Sequence, residues 1–164
     1  MVDPIPEGYT PVTPHVVVQD GAAAIDFYVK AFGAEELVRL PGPTGEGIIH
    51  AEIAIGGAMI MLAEEMPGME YWLPPTSIGG TSVVLALYTA ECDALFQRAV
   101  DAGCQVVFPP TDMFWGDRYA RVRDPFGHEW SLATHTADLT PEQIMEGQKA
   151  FFEQMGPDGG GPEG

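Results

Sequence analysis

Residues 20–35 read DGAAAIDFYVKAFGAE, and this stretch decides the fold. Asp20-Gly21 is a turn and a helix start, and Ile25, Tyr28, Val29 and Phe32 recur at i, i+3, i+4 and i+7 as one apolar stripe. Gly33 is placed to end the helix in a left-handed conformation. Upstream, Thr13–Val18 (TPHVVV) is a short β-rich run. Downstream, strands are expected near Glu35–Leu40, Gly47–Ile55 and Ala58–Ala63, the last two joined by Gly56-Gly57 at a hairpin position. The unit reads βαβββ.

The same grammar then restarts. Glu65–Gly80 is rich in Pro and Gly without a sustained period and reads as a connector. Val83–Tyr88 is a strand and Thr89 an N-cap. Cys92, Leu95, Phe96 and Ala99 form a helical stripe closing at Gly103, and strands follow near Gln105–Phe108, Arg118–Val122 and His128–Thr134. Gly33 maps on Gly103, Ile25 on Leu95, Val29 on Ala99 and Gly57 on Gly127, a constant offset of 70 residues. A lone βαβββ unit would leave a sheet face bare, so burial also calls for a pair. The expectation is an α+β chain: an extension over 1–12, modules over 13–65 and 83–135, a connector over 66–82, and a C-terminal helix and acidic tail over 136–164.

A chain of 164 residues with 46% hydrophobic and 19% charged residues has material for one sizeable core. Its 24 acids against 7 bases give −17, which repels phosphate backbones and anionic lipid, so neither nucleic acid nor a membrane is an expected partner. Met1–Pro11 carries acids and three prolines where a secretion signal needs basic and apolar segments, and two cysteines without a CxxC partner suit a reducing cytoplasm. Cys92 and Cys104 read as core thiols.

The residues Thr13-Pro14-His15-Val16-Val17-Val18, Ala24-Ile25-Asp26-Phe27-Tyr28, Ala31-Phe32-Gly33-Ala34-Glu35 and Asp124-Pro125-Phe126-Gly127-His128-Glu129-Trp130 resemble the glyoxalase, bleomycin-resistance and extradiol-dioxygenase superfamily, the vicinal oxygen chelate proteins. Within it, His50-Ala51-Glu52 and Phe114-Trp115-Gly116-Asp117-Arg118 are similar to the branch usually described after the phosphonate-operon B protein. The resemblance implies two βαβββ modules with curved mixed sheets around a shared cavity, commonly in a homodimer. It also implies one divalent metal held at four positions, which fall here on Thr13, Met61, Val83 and Ser131. None of these is a competent ligand for a hard or borderline ion, so no metal or other cofactor is expected there.

Residues two apart on a strand share a face, so His15 faces as Thr13 does and Glu129 as Ser131 does. His15, His50 and Glu129 have acceptable ligand types for a displaced metal; equally, they line a polar pocket with hydrogen bonds. Met59, Met61, Met66 and Met69 suit either a core or an adaptable cavity wall, and Phe114 and Trp115 either a stacking wall or simple burial. Arg121 and Arg123 share one face, with Asp117, Asp124 or Glu129 as expected partners or a ligand anion as the alternative. Glu129 is a general base if its pocket raises its pKa.

The resulting expectation is a cavity protein for a small oxygenated metabolite, a lyase or isomerase with Glu129 and His15 as acid/base groups and His50, Met61, Trp115, Arg121 and Ser131 lining the site. One alternative is a non-catalytic binder of a cationic drug or natural product. Another is a metal-dependent lyase or dioxygenase using the displaced set.

Overall fold

The computed structural model describes residues 2–155, the last by its backbone; the expected tail over 156–164 lies outside them. In chain order the elements are β1 (His15–Val18), α1 (Gly21–Phe32), β2 (Glu35–Pro41), β3 (Ile48–Ile55), β4 (Ala58–Glu64), a short α2 (Pro75–Ile78), β5 (Val84–Tyr88), α3 (Cys92–Ala102), β6 (Gln105–Asp112), β7 (Asp117–Arg123), β8 (Glu129–His135) and α4 (Pro141–Met155). Two four-stranded mixed sheets result, ordered β1-β4-β3-β2 and β5-β8-β7-β6. In each, the first strand pairs parallel with the last and the other pairs are antiparallel. Among the described residues no helix is long and apolar enough to cross a membrane.

The helices begin and end by related devices. Asp20 accepts from the Ala23 amide, and the Glu64 carboxylate takes the first amide of α1, from Gly21 at 3.0 Å. In α3 the N-cap is Glu91, without a side-chain cap; Thr89 lies two residues too early and accepts only from the Glu91 amide. The hydroxyl of Thr134 on β8 takes the first amide, from Cys92 at 2.9 Å. α1 ends at Gly33, whose φ of 68° is the left-handed region that favours glycine. Arg98 of α3 donates to the Lys30 and Val29 carbonyls at 2.6 and 2.9 Å, so one helix closes the other's C-terminus. Val29 is 42% exposed and leaves the stripe to Ala24, Ile25, Tyr28, Ala31 and Phe32.

The modules meet on an aromatic core. Phe27, Tyr28 and Phe32 of α1 pack with Phe126 and Trp130, the Phe32 and Trp130 ring centroids being 4.6 Å apart. Fully burying each such side chain contributes about 1.5–3 kcal/mol. At its centre Asp124, 3% exposed, accepts from Tyr28 Oη at 2.8 Å and Trp130 Nε1 at 2.9 Å, while its other oxygen takes the Phe126 and His128 amides. His128 Nε2 lies 2.8 Å from the Val17 carbonyl of β1, another tie between the modules. The turn signature and the helix signature are thus two halves of one contact.

Cross-strand register corrects the constant offset. Met61 and Ser131 keep a shift of 70, yet their partners on the first strands are His15 and Ala86, 71 apart, and on the neighbouring strands Glu52 and Arg121, 69 apart. α3 has 11 residues where α1 has 12. Two residues lie between the last pair of the earlier hairpin, Ile55 and Ala58, and five between the last pair of the later one, Arg123 and Glu129. Counting along the chain therefore slips a residue against the sheet, and the counterpart of Thr13 is Val84 rather than Val83.

Candidate functional site

Strand alternation decides which side chains reach the face of each sheet that turns away from the helices. Val16 and Val18 are buried toward α1, so His15 and Val17 point the other way; Ala51 and Ile53 are buried, so His50 and Glu52 do as well. Met61 stands beside His15 and Glu52, its partners on either side. Trp72 from the connector sets its ring edge-on to His15 at 4.6 Å, and His50 does so at 5.8 Å. His50 Nε2 lies 3.2 Å from Glu52 Oε1, whereas His15 makes no hydrogen bond to a described side chain or carbonyl. Burial, then the nearby His50, lower the pKa of His15, so its ring is neutral near pH 7.

The second sheet presents a different chemistry at the matching places. Glu129, 8% exposed, is held by Arg123 at 2.7 Å and by Arg121. Arg123 first, and then Arg121, hold its carboxyl below the usual range although burial opposes them. The raised pKa that a general base would need is therefore not what this environment produces: two guanidinium groups outweigh desolvation. Ser131 is buried next to Arg121 and Ala86. Arg118, on the opposite face, pairs with Asp93 and Asp112.

Trp115 stands apart from both groups, in the loop before β7, where its indole donates to Asp117 Oδ2 at 3.0 Å. Asp117, 5% exposed, also accepts from Tyr88 Oη at 2.9 Å and lies 2.8 Å from His135 Nδ1. Burial pushes its pKa up, but the bonds from His135, Tyr88 and Trp115 together hold it low. His135 is raised in turn by Asp117 and then Asp138. The sequence offered Asp117 only as an arginine partner; a Tyr-Trp-His set spread over 48 positions has no local signature.

A cleft of about 760 Å³ runs along the seam between β1 and β5 under the connector, lined by His15, Val17, Ile78, Ser82, Leu85 and His128 among others. His15 is the sequence-derived site residue that lines it. His50 and Met61 lie beside His15 on the first sheet, and Glu129, Arg121 and Ser131 belong to the second. A smaller cavity, about 300 Å³, brings Glu129 and Arg123 against Gly79, Gly80 and Thr81.

The four positions assigned to a metal do not fit one. The Thr13 hydroxyl donates to the Thr10 carbonyl, Met61 and Val83 offer no hard donor, and Ser131 sits opposite Ala86, three residues along from Val83. His15, His50 and Glu129 do not form a displaced site, since among the described residues no three His, Cys, Asp or Glu side chains gather so as to hold an ion.

This architecture recurs in known proteins. An uncharacterized protein of Mycobacterium bovis is 49% identical over 136 residues, 82% of this chain and 89% of that one. The crystal structure of TioX from Micromonospora sp. ML1 superposes with a TM-score of 0.61 at 30% identity, covering 77% of this chain and 98% of TioX. The fosfomycin resistance protein FosX from Listeria monocytogenes, solved with Mn(II) and sulfate, shares the fold at a TM-score of 0.58 and 18% identity, over 83% and 97% of the chains. The family model of the glyoxalase/bleomycin resistance protein/dioxygenase superfamily matches residues 11–132, and the chain belongs to that superfamily.

Proposed function

We propose that the seam cleft binds a small oxygenated organic molecule and that His15 exchanges a proton with it, as a lyase or isomerase would. The observation that carries this reading is that His15 lines a cleft of about 760 Å³ as a neutral imidazole without an internal partner. That volume is within the usual span for small-molecule sites, about 300–1,000 Å³. Trp72 braces the ring edge-on, and the hydroxyl of Ser82 on the same cleft can meet a ligand oxygen. Glu129, tied to two arginines, lines the smaller cavity that shares Gly79, Gly80 and Thr81 with this cleft, while His15 handles the proton. Proteins of this superfamily commonly bind small molecules and form dimers, and a cytoplasmic homodimer of the phosphonate-operon B-like branch is the setting we favour, on the His50-Ala51-Glu52 and Phe114-Trp115-Gly116-Asp117-Arg118 motifs.

A panel of small hydroxy and keto acids tests this by NMR in deuterated water. Expected are amide shifts at Val17 and over residues 79–83, with deuterium entering the carbon next to the substrate carbonyl in a manner that His15→Phe abolishes. Shifts at those amides without exchange would favour the non-catalytic binder, the reading that the tied-up state of Glu129 supports. A panel that moves no cleft resonance would sink both.

A further inference from the structure

The segment before β1 is an arm laid over the outer face of the first sheet. Between arm and sheet lies a cavity of about 490 Å³, separate from the seam cleft, walled by Ile5, Pro6, Tyr9, Pro11 and Met61 and floored by Glu52. The walls are apolar or aromatic, and the floor is a carboxylate whose side chain is only 23% exposed. No Lys or Arg lines this cavity, and none occurs between residues 2 and 29, while the arm adds Asp3 and Glu7. His50 occupies Glu52 Oε1 and the Tyr9 phenol faces the same carboxylate. A carboxylate has about four acceptor positions, so these contacts leave room for another donor.

Half-burying an anion without a permanent positive partner is costly, and carboxylates so placed are normally paired. Glu129, on the second sheet, has two arginines; Arg121 there occupies the place that Glu52 occupies here, each being the cross-strand partner of Ser131 or Met61. The first sheet therefore keeps an acid where the second keeps its neutralising base. We propose that the cavity under the arm is a binding site for a small organic cation, an ammonium joined to an apolar group, with Glu52 as counter-ion and the Tyr9 ring and Met61 packing the apolar part. An aromatic ring beside an ammonium adds attraction through its quadrupole, and desolvation by the arm strengthens the charge pair. This cavity shares no lining residue with the cleft that holds His15.

The probe is benzylammonium, with benzyl alcohol as its neutral counterpart of similar shape, titrated into the full chain by two-dimensional amide NMR. The ammonium should bind at least about tenfold more tightly than the alcohol, a difference of about 1.4 kcal/mol. Its shifts should centre on Tyr9, Thr10, Glu52 and Met61. Glu52→Gln should abolish the preference, and raising salt should narrow it in the unmodified chain, a readout that stands if the variant folds poorly. Equal affinities for the two probes, a preference indifferent to Glu52→Gln, or shifts confined to residues 79–83 would each overturn the assignment.

Discussion

Replacing Asp124 by alanine should unfasten the two modules from each other more than any change on their surfaces. The substitution leaves two buried donors without an acceptor, the Tyr28 hydroxyl and the Trp130 indole, on residues that are 0% and 2% exposed. Each stranded donor costs about 1–3 kcal/mol, so the pair costs about 4, and release of the Phe126 and His128 amides adds about 1 more. Against a typical total of about 5–15 kcal/mol, such a loss consumes a third of the stability or all of it. Tyr28→Phe removes one donor together with its need for a partner and should cost only about 1 kcal/mol. Asp124→Asn, which still offers an acceptor, should fall between. Urea unfolding followed by tryptophan fluorescence and far-UV circular dichroism measures all three. A loss below about 1 kcal/mol for Asp124→Ala, or equal losses for Asp124→Ala and Tyr28→Phe, would refute the claim that this carboxylate fastens helix to turn.

Two further outcomes follow from charges at helix and strand ends. Arg98→Ala should expose the C-terminal carbonyls of α1, lowering stability by about 1 kcal/mol; hydrogen exchange should quicken at Gly33 and Ala34, and unchanged exchange there would count against the cross-helix cap. The His135 ring should titrate above its ordinary value of about 6.5, and Asp117→Asn should lower it, as read from ring-proton shifts. Because its folded pKa is raised, its stabilising contribution is complete below about pH 6.5 and lost as pH rises through the raised value. A titration insensitive to Asp117→Asn would show that the 2.8 Å contact carries no charge coupling.

Local pattern carried most of the architecture. Helix stripes, left-handed glycines and β-rich runs lie within a few residues of one another, and both βαβββ units emerged from them, with β6 extending four residues past Phe108 to Asp112. Face and partnership were harder. Val29 satisfies the helical spacing but sits where Arg98 of the other module comes to close the helix, so it stays at the surface. His15, His50 and Met61 could each be placed on a strand, yet their adjacency depends on β1 pairing with β4 across 46 residues. Glu129 read both as a candidate base and as a partner of Arg121 and Arg123, and only the pairing of β7 with β8 decides for the arginines. The placement of Tyr9 against Glu52 escaped for a like reason: a proline-rich segment gives no periodic signal of the sheet it covers.

The slipping register between the modules bears on how such a duplicated chain can diverge. A residue lost from a helix end, or gained in a turn, is absorbed there without rotating the strands, so each half can be edited in length while its inward and outward sides stay put. Equivalence between the halves is then a property of hydrogen-bonded neighbours and not of position in the string. Gapless self-alignment would pair Glu52 with the core residue Val122 and so hide that opposite charges, Glu52 and Arg121, stand at one matching place in the two sheets.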